Sequence, residues 1–170
     1  MGTKRVGMAR VKSLINENVN QLKLNKQEQI ALVYNDTSNH TISADQSGAV
    51  LFWTHGGAHD ITLPAATAGM HFKFVLAVGS AHANRIAAAS GDGFYGKVTV
   101  TKSAGTDKNA TQTVVKGSAK DFISLHTSTT TLGGNAGDVI ELWCYEDGYW
   151  NVDARLSCTG NPGSIAVLTD

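Results

Sequence analysis

The feature that most limits the fold lies between residues 138 and 156. Asp138-Val139-Ile140-Glu141-Leu142-Trp143-Cys144-Tyr145 alternates apolar and polar side chains. Glu146-Asp147-Gly148-Tyr149 interrupts the run, and Trp150-Asn151-Val152-Asp153-Ala154-Arg155-Leu156 resumes it. Alternation with period two marks a strand with one buried face. Asp-Gly between two such runs signals a hairpin, because both central residues tolerate the positive φ that a tight primed turn requires. The pattern predicts a strand pair in which Ile140, Leu142 and Cys144 share a core face with Trp150, Val152, Ala154 and Leu156. It leaves Trp143 and Tyr145 on the opposite face.

Shorter runs of the same kind precede this hairpin. They lie at Val50–Trp53, Asp60–Leu63, His71–Val78, Lys97–Thr101, Thr113–Val115 and Phe122–His126, with a weaker one at Arg85–Ala88. In His71–Val78, Phe72, Phe74, Leu76 and Val78 fall on one face and His71 and Lys73 on the other. Eighteen Gly against two Pro in 170 residues fit tight turns between short strands. Eight or nine strands at this spacing predict a mainly β chain, an antiparallel β-sandwich or jelly-roll-like domain over residues 48–170. The stub Ile165–Leu168 after Pro162-Gly163 is a candidate edge strand, within the subunit or across a subunit boundary.

The first 47 residues are different. Val11, Leu14, Ile15, Val19 and Leu22 recur at helical spacing, but Asn16, Asn18, Asn20 and Asn25 are weak helix formers. A lone helix of this quality is marginal in water and needs a partner surface. Residues 1–34 thus read as a helical or extended arm, and residues 35–47, rich in Asn, Ser, Thr and Asp, as a linker. The arm is basic. Lys4, Arg5, Arg10, Lys12, Lys23 and Lys26 outweigh Glu17 and Glu28, so residues 1–33 carry +4 in a chain whose net charge is zero. The expected anchoring residues are Lys4, Arg5, Arg10, Lys12, Val11, Leu14, Ile15 and Leu22, docking on an acidic surface. Nucleic acid is a poorer partner, since no aromatic residues interleave with these cations.

Candidate chemistry is sparse. His55-Gly56-Gly57-Ala58-His59-Asp60 has two imidazoles and a carboxylate, but Gly56 and Gly57 oppose a helix that would align them, and no third ligand is fixed by spacing. Ser90-Gly91-Asp92-Gly93-Phe94-Tyr95-Gly96 lacks the Gly-Lys-Ser/Thr of a P-loop and no helical pattern follows it. It reads as a turn between strands. Cys144 and Cys158 are too few for a disulfide framework and read as reduced thiols. No nucleophile motif or diagnostic carboxylate pair stands out, so no catalytic residue, cofactor or metal is expected. Charged residues make up only 16% of the chain, which suits a subunit of an assembly. The longest apolar runs are far too short for a membrane span, and the first 20 residues hold no apolar secretory core.

Two phrases carry a resemblance. Ile61-Thr62-Leu63-Pro64-Ala65-Ala66-Thr67-Ala68-Gly69-Met70-His71-Phe72-Lys73-Phe74 is similar to a strand–loop–strand phrase that recurs in bacteriophage virion proteins. Gly137-Asp138-Val139-Ile140-Glu141-Leu142, followed by Asp147-Gly148-Tyr149-Trp150-Asn151-Val152, resembles a second phrase of the same proteins. The resemblance covers roughly residues 48–156. The resemblance implies a small, all-β, usually trimeric virion structural protein, made in the host bacterial cytoplasm, without catalytic residues. Its partners would be the major capsid protein or other virion subunits. Two placements follow: a capsid decoration (cement) protein, or a tail or head fibre component whose Trp53, Trp143, Tyr149 or Trp150 meets a host glycan. Trp143, Tyr145 and Trp53 are the expected oligomer interface.

Overall fold

The computed structural model describes residues 31–34, 38–54, 57–79, 83–102, 109–126, 132–159 and 166–170. Twelve strands among them form two sheets. In chain order they are β1 (Ala31–Tyr34), β2 (His40–Thr41), β3 (Val50–Trp53), β4 (Asp60–Thr62), β5 (His71–Leu76), β6 (Asn84–Ala87), β7 (Gly93–Lys102), β8 (Asn109–Val114), β9 (Phe122–Leu125), β10 (Val139–Glu146), β11 (Tyr149–Cys158) and β12 (Leu168–Thr169). The larger sheet has the order β1-β3-β5-β10-β11-β7-β8, and the smaller β12-β9-β6-β4-β2. Each sheet buries one face in a single shared core, giving a mainly β, sandwich-like body.

The core follows the alternation. Phe72, Phe74 and Leu76 of β5, Ile140, Leu142 and Cys144 of β10, and Trp150, Val152, Ala154 and Leu156 of β11 are all buried. The smaller sheet contributes Ile61, Ile86, Ile123 and Leu125. As the hairpin pattern requires, Ile140 pairs with Ala154 and Leu142 with Val152. Val78 departs from the pattern, because β5 ends at Leu76 and the chain turns away, leaving Val78 exposed.

The pairing corrects one part of the expectation. The sheets are mixed rather than antiparallel throughout: β1–β3, β3–β5, β2–β4, β4–β6 and β7–β11 are parallel. The pairs β5–β10, β10–β11, β7–β8, β6–β9 and β9–β12 are antiparallel. From β1 to β6 the chain alternates between the two sheets, so each return lays a strand parallel to the one before last. This is the flattened coil of a β-helix, three strands deep in each sheet. A parallel pair needs a long crossover, and here the crossover is a strand of the opposite sheet. In-out alternation is the same for parallel and antiparallel strands, so the residue pattern does not report the difference.

The coil also moves the start of the domain. Residues 31–34, expected in the arm, pair with β3, and the expected linker holds β2 and a 3-10 turn at Ala44–Gln46, with Ile42 in the core. At the other end β12 pairs with β9 of the same chain: Leu168 lies opposite Ile123. Gln112 of β8 secures it from the edge of the larger sheet. Its Oε1 accepts from the Val167 and Leu168 amides at 2.8 and 2.9 Å, and its Nε2 donates to the Leu168 carbonyl at 2.9 Å. One side-chain amide thereby substitutes for a strand across the seam between the sheets.

Candidate functional site

The two phrases behind the virion resemblance meet in space. Asp92 Oδ2 accepts from the Ala66 amide at 2.6 Å and Asp147 Oδ1 from the Ala68 amide at 2.9 Å. The Gly148 amide donates to the Ala66 carbonyl at 3.0 Å, and the Gly69 amide to the Cys144 carbonyl at 2.8 Å. The loop 63–70 is therefore clamped onto the tip of the β10–β11 hairpin and the turn before β7. Asp138 makes a second clamp at the other end of β10. Its carboxylate accepts from the Gly134, Asn135 and Ser157 amides and from Ser157 Oγ, at 2.8 to 3.0 Å. Burial pushes its pKa up, and the four donors offset only part of that. These acids are used up in holding loops.

The His-rich segment divides. His55 lies outside the described residues. His59 is buried with its ring 5.0 Å from that of Trp53, and its Nδ1 is 2.8 Å from the Gly57 carbonyl oxygen. Asp60 instead takes both arms of Arg85, at 3.0 and 2.6 Å. Among the described residues no group of three His, Cys, Asp or Glu is arranged to hold a metal. Cys144 and Cys158 are buried free thiols.

What remains open is the outward face of the larger sheet. Trp53, expected at an interface, is buried in the core instead, because the register of β3 turns it inward with Leu51. Trp143 and Tyr145 do face out, 42% and 68% exposed. A bulge sets their display. Trp143 lies opposite Asn151 but Glu146 opposite Tyr149, so Cys144 and Tyr145 together face Trp150. Cys144 turns inward, and Tyr145 and Glu146 both turn out. The Trp143 ring stacks on His71, with centroids 5.0 Å apart and planes 15° apart.

Strand register arranges this face in rows. His71, Trp143, Asn151 and Tyr95 form one row across β5, β10, β11 and β7. Lys73, Glu141, Asp153 and Lys97 form the next, and Val75, Val139, Arg155 and Thr99 the one beyond. Lys73 and Glu141 pair at 2.9 Å. Two shallow grooves of about 590 and about 260 Å³ run along these rows and share Asp153 and Arg155. Gly96, which lines the larger groove, lets β7 and β11 approach closely: its φ is +129°, and a Cβ there would overlap the Val152 backbone. The bulge and the grooves were not foreseen from sequence. The signal available for the bulge was two outward residues, Tyr145 and Glu146, in succession before the Asp-Gly turn.

The expected anchoring residues Lys4, Arg5, Arg10, Val11, Lys12, Leu14, Ile15 and Leu22 lie outside the described residues. Among the described residues no helix is long and apolar enough to cross a membrane. The fold and this face define a two-sheet β protein with an exposed aromatic and polar surface. No family model, curated protein or solved structure matches the chain.

Proposed function

We propose that the chain is a bacteriophage virion structural protein, a capsid decoration (cement) protein that binds and stabilises the assembled shell as an oligomer, as a trimer by the virion resemblance. The observation that carries this reading is the clamp: both phrases of that resemblance fold into one hydrogen-bonded unit, Asp147 holding the Ala68 amide and the Gly148 amide holding the Ala66 carbonyl. The cationic segment before β1, with its net of +4, supplies attraction to an acidic shell surface. A protein that binds only the assembled shell lowers that state's free energy by RT ln(1+[L]/Kd) per site. An oligomer multiplies the effect, because the second and third arms bind at high effective concentration.

The test is a deletion of residues 1–30, which spares β1 and its pairing to β3. The truncated chain should keep its β circular dichroism and its oligomeric state and lose capsid binding in a co-sedimentation assay. Full decoration by the truncated chain would overturn the anchoring role. A second reading, a tail or head fibre component with a carbohydrate-binding surface, is favoured by the exposed Trp143 beside polar grooves. Imaging the particle, with copy number relative to the major shell protein, separates the two.

A further inference from the structure

We infer that the outer edge of β8 is a self-association site, where a second copy of this chain adds its own β8 antiparallel and joins the two larger sheets into one. The inference needs neither the virion reading nor the trimer, and it adds a two-fold contact to either.

Four edge strands bound the two sheets: β1 and β8 on the larger, β2 and β12 on the smaller. An exposed edge presents a row of N–H and C=O groups that another strand can take. Proteins blunt such edges by keeping them short, charged, bulged or interrupted by Pro. β2 and β12 have two residues each, and Gln112 also pins β12. β1 has four residues and β8 six, the longest of the four. β8 carries none of the blunting devices. Asn109-Ala110-Thr111-Gln112-Thr113-Val114 holds no charge and no Pro. Its register with β7 runs unbroken from Asn109–Thr101 to Val114–Gly96. Among the described residues, no backbone hydrogen bond outside the β7 ladder reaches residues 109–114.

The surroundings of the edge favour a second copy over a foreign strand. Lys97, opposite Thr113 on β7, has Asp153 on its other side. Lys116 is paired with Glu146 at 2.6 Å. No net field therefore draws an acidic or a basic peptide to this edge. An uncharged strand meets its own copy with no like charges opposed. Val115, the next residue along, is 66% exposed, and a strand paired beyond the end of β8 would cover it.

Alternation fixes the register. Asn109, Thr111 and Thr113 face outward, and Ala110, Gln112 and Val114 face inward. Two copies keep both faces continuous only if outward residues meet outward ones, so the two-fold axis passes through a residue and not between two. An axis at Gln112 pairs the whole of 109–115. Thr111 then lies opposite Thr113 of the second copy, Ala110 opposite its Val114, and Asn109 opposite its Val115. Thr–Thr neighbours and a small residue against a β-branched one suit cross-strand packing. One strand pair buries less area than a stable dimer needs, so the association is weak, with a Kd of roughly 10 µM to 1 mM.

Sedimentation velocity on the full-length chain, from about 5 µM to about 1 mM, brackets that range. The expected result is a particle mass that doubles with concentration, from one copy to two or from three to six. Hydrogen exchange at the outer-edge amides of β8 should slow over the same range. Thr111→Lys with Thr113→Lys sets two Lys–Lys pairs across the axis and should weaken the doubling at least about fivefold. Thr111→Lys with Thr113→Glu sets two Lys–Glu pairs instead and should restore it to within about twofold of the wild type. Both positions are exposed, so circular dichroism and Tm should match the wild type in each variant. The inference is overturned if the mass does not double, if the Lys–Lys variant doubles as the wild type does, or if the Lys–Glu variant behaves like the Lys–Lys one. Protection of the β8 amides without a change in mass would place another strand on this edge and overturn it equally. The 1–30 deletion spares β8, so its capsid binding is a separate result that leaves this one unaffected.

Discussion

Replacing Asp138 by Asn tests whether a buried carboxylate organises the β10–β11 end of the body. Oδ2 takes the Gly134 and Asn135 amides, and Oδ1 takes the Ser157 amide and hydroxyl. All four partners act as donors, so an Asn side chain must turn its NH2 toward two of them. Toward Gly134 and Asn135 it would orphan two backbone N–H groups. Toward Ser157 it orphans one, because the hydroxyl can rotate and accept. The second placement is cheaper, and one unpaired buried N–H costs about 1–3 kcal/mol. The expected loss is therefore about 2 kcal/mol at pH 7, or roughly 2–4 °C in Tm per kcal/mol for a chain of this size. Urea unfolding followed by circular dichroism measures it, with Ser157→Ala and the double variant closing a cycle. The pH dependence adds a second reading. Burial raises the folded-state pKa of Asp138 above its unfolded value. The folded state therefore binds the proton more tightly, and this group's contribution to stability falls as pH rises from about 4 through the raised value. The Asn variant should lose that component of the slope. A variant as stable as the wild type at pH 7, with an unchanged slope, would show that the four contacts do not bear on stability.

The remaining predictions concern the seam, the groove and the thiols. Gln112→Ala removes three hydrogen bonds to Val167 and Leu168 and should free β12, seen as faster hydrogen exchange and carboxypeptidase trimming with a loss of about 1–3 kcal/mol. Gly96→Ala should be among the most damaging single changes, more than about 2 kcal/mol, since φ and the Val152 backbone both oppose a Cβ. A soluble, wild-type-like Tm for it would refute the close approach of β7 and β11. Burial raises the Cys144 thiol pKa, so native protein should react with a thiol reagent only as fast as it opens, and both cysteines should become titratable in urea.

Much of the body was legible because burial imposes a period on each strand. Asp147-Gly148 located the hairpin, and the alternation around it named the core face from Ile140 to Leu156 correctly. Trp143 and Tyr145 followed as its complement. The coil of β1 to β6 was not legible, for a physical reason: parallel and antiparallel strands bury the same alternate residues, and only a tight-turn signal declares an antiparallel neighbour. The polar stretch 35–47 concealed β2, whose two residues are too few to show a period. Trp53 illustrates the limit at single residues. An aromatic at a strand end faces in or out according to register, which the partner strand sets.

The placement of the recurring phrases has a consequence for inference from motifs. Among their residues, Ala66, Ala68, Gly69, Asp138, Asp147 and Gly148 each bond another part of the same body. Such residues tie a loop to a hairpin tip, a demand set by the fold and not by any partner. The outward rows answer to a different demand. Trp143, Asp153 and Arg155 contribute little to the core, and strand alternation leaves them free to vary as long as they tolerate a pleated surface. The clamps and the outward rows thus lie on different residues, so the phrases inform the fold and not what the exposed face meets. Exchange of the outward residues of β10 and β11 for Thr should accordingly leave the fold and the clamps intact. A thermal melt and circular dichroism of that variant check this, and a collapse of Tm would refute it.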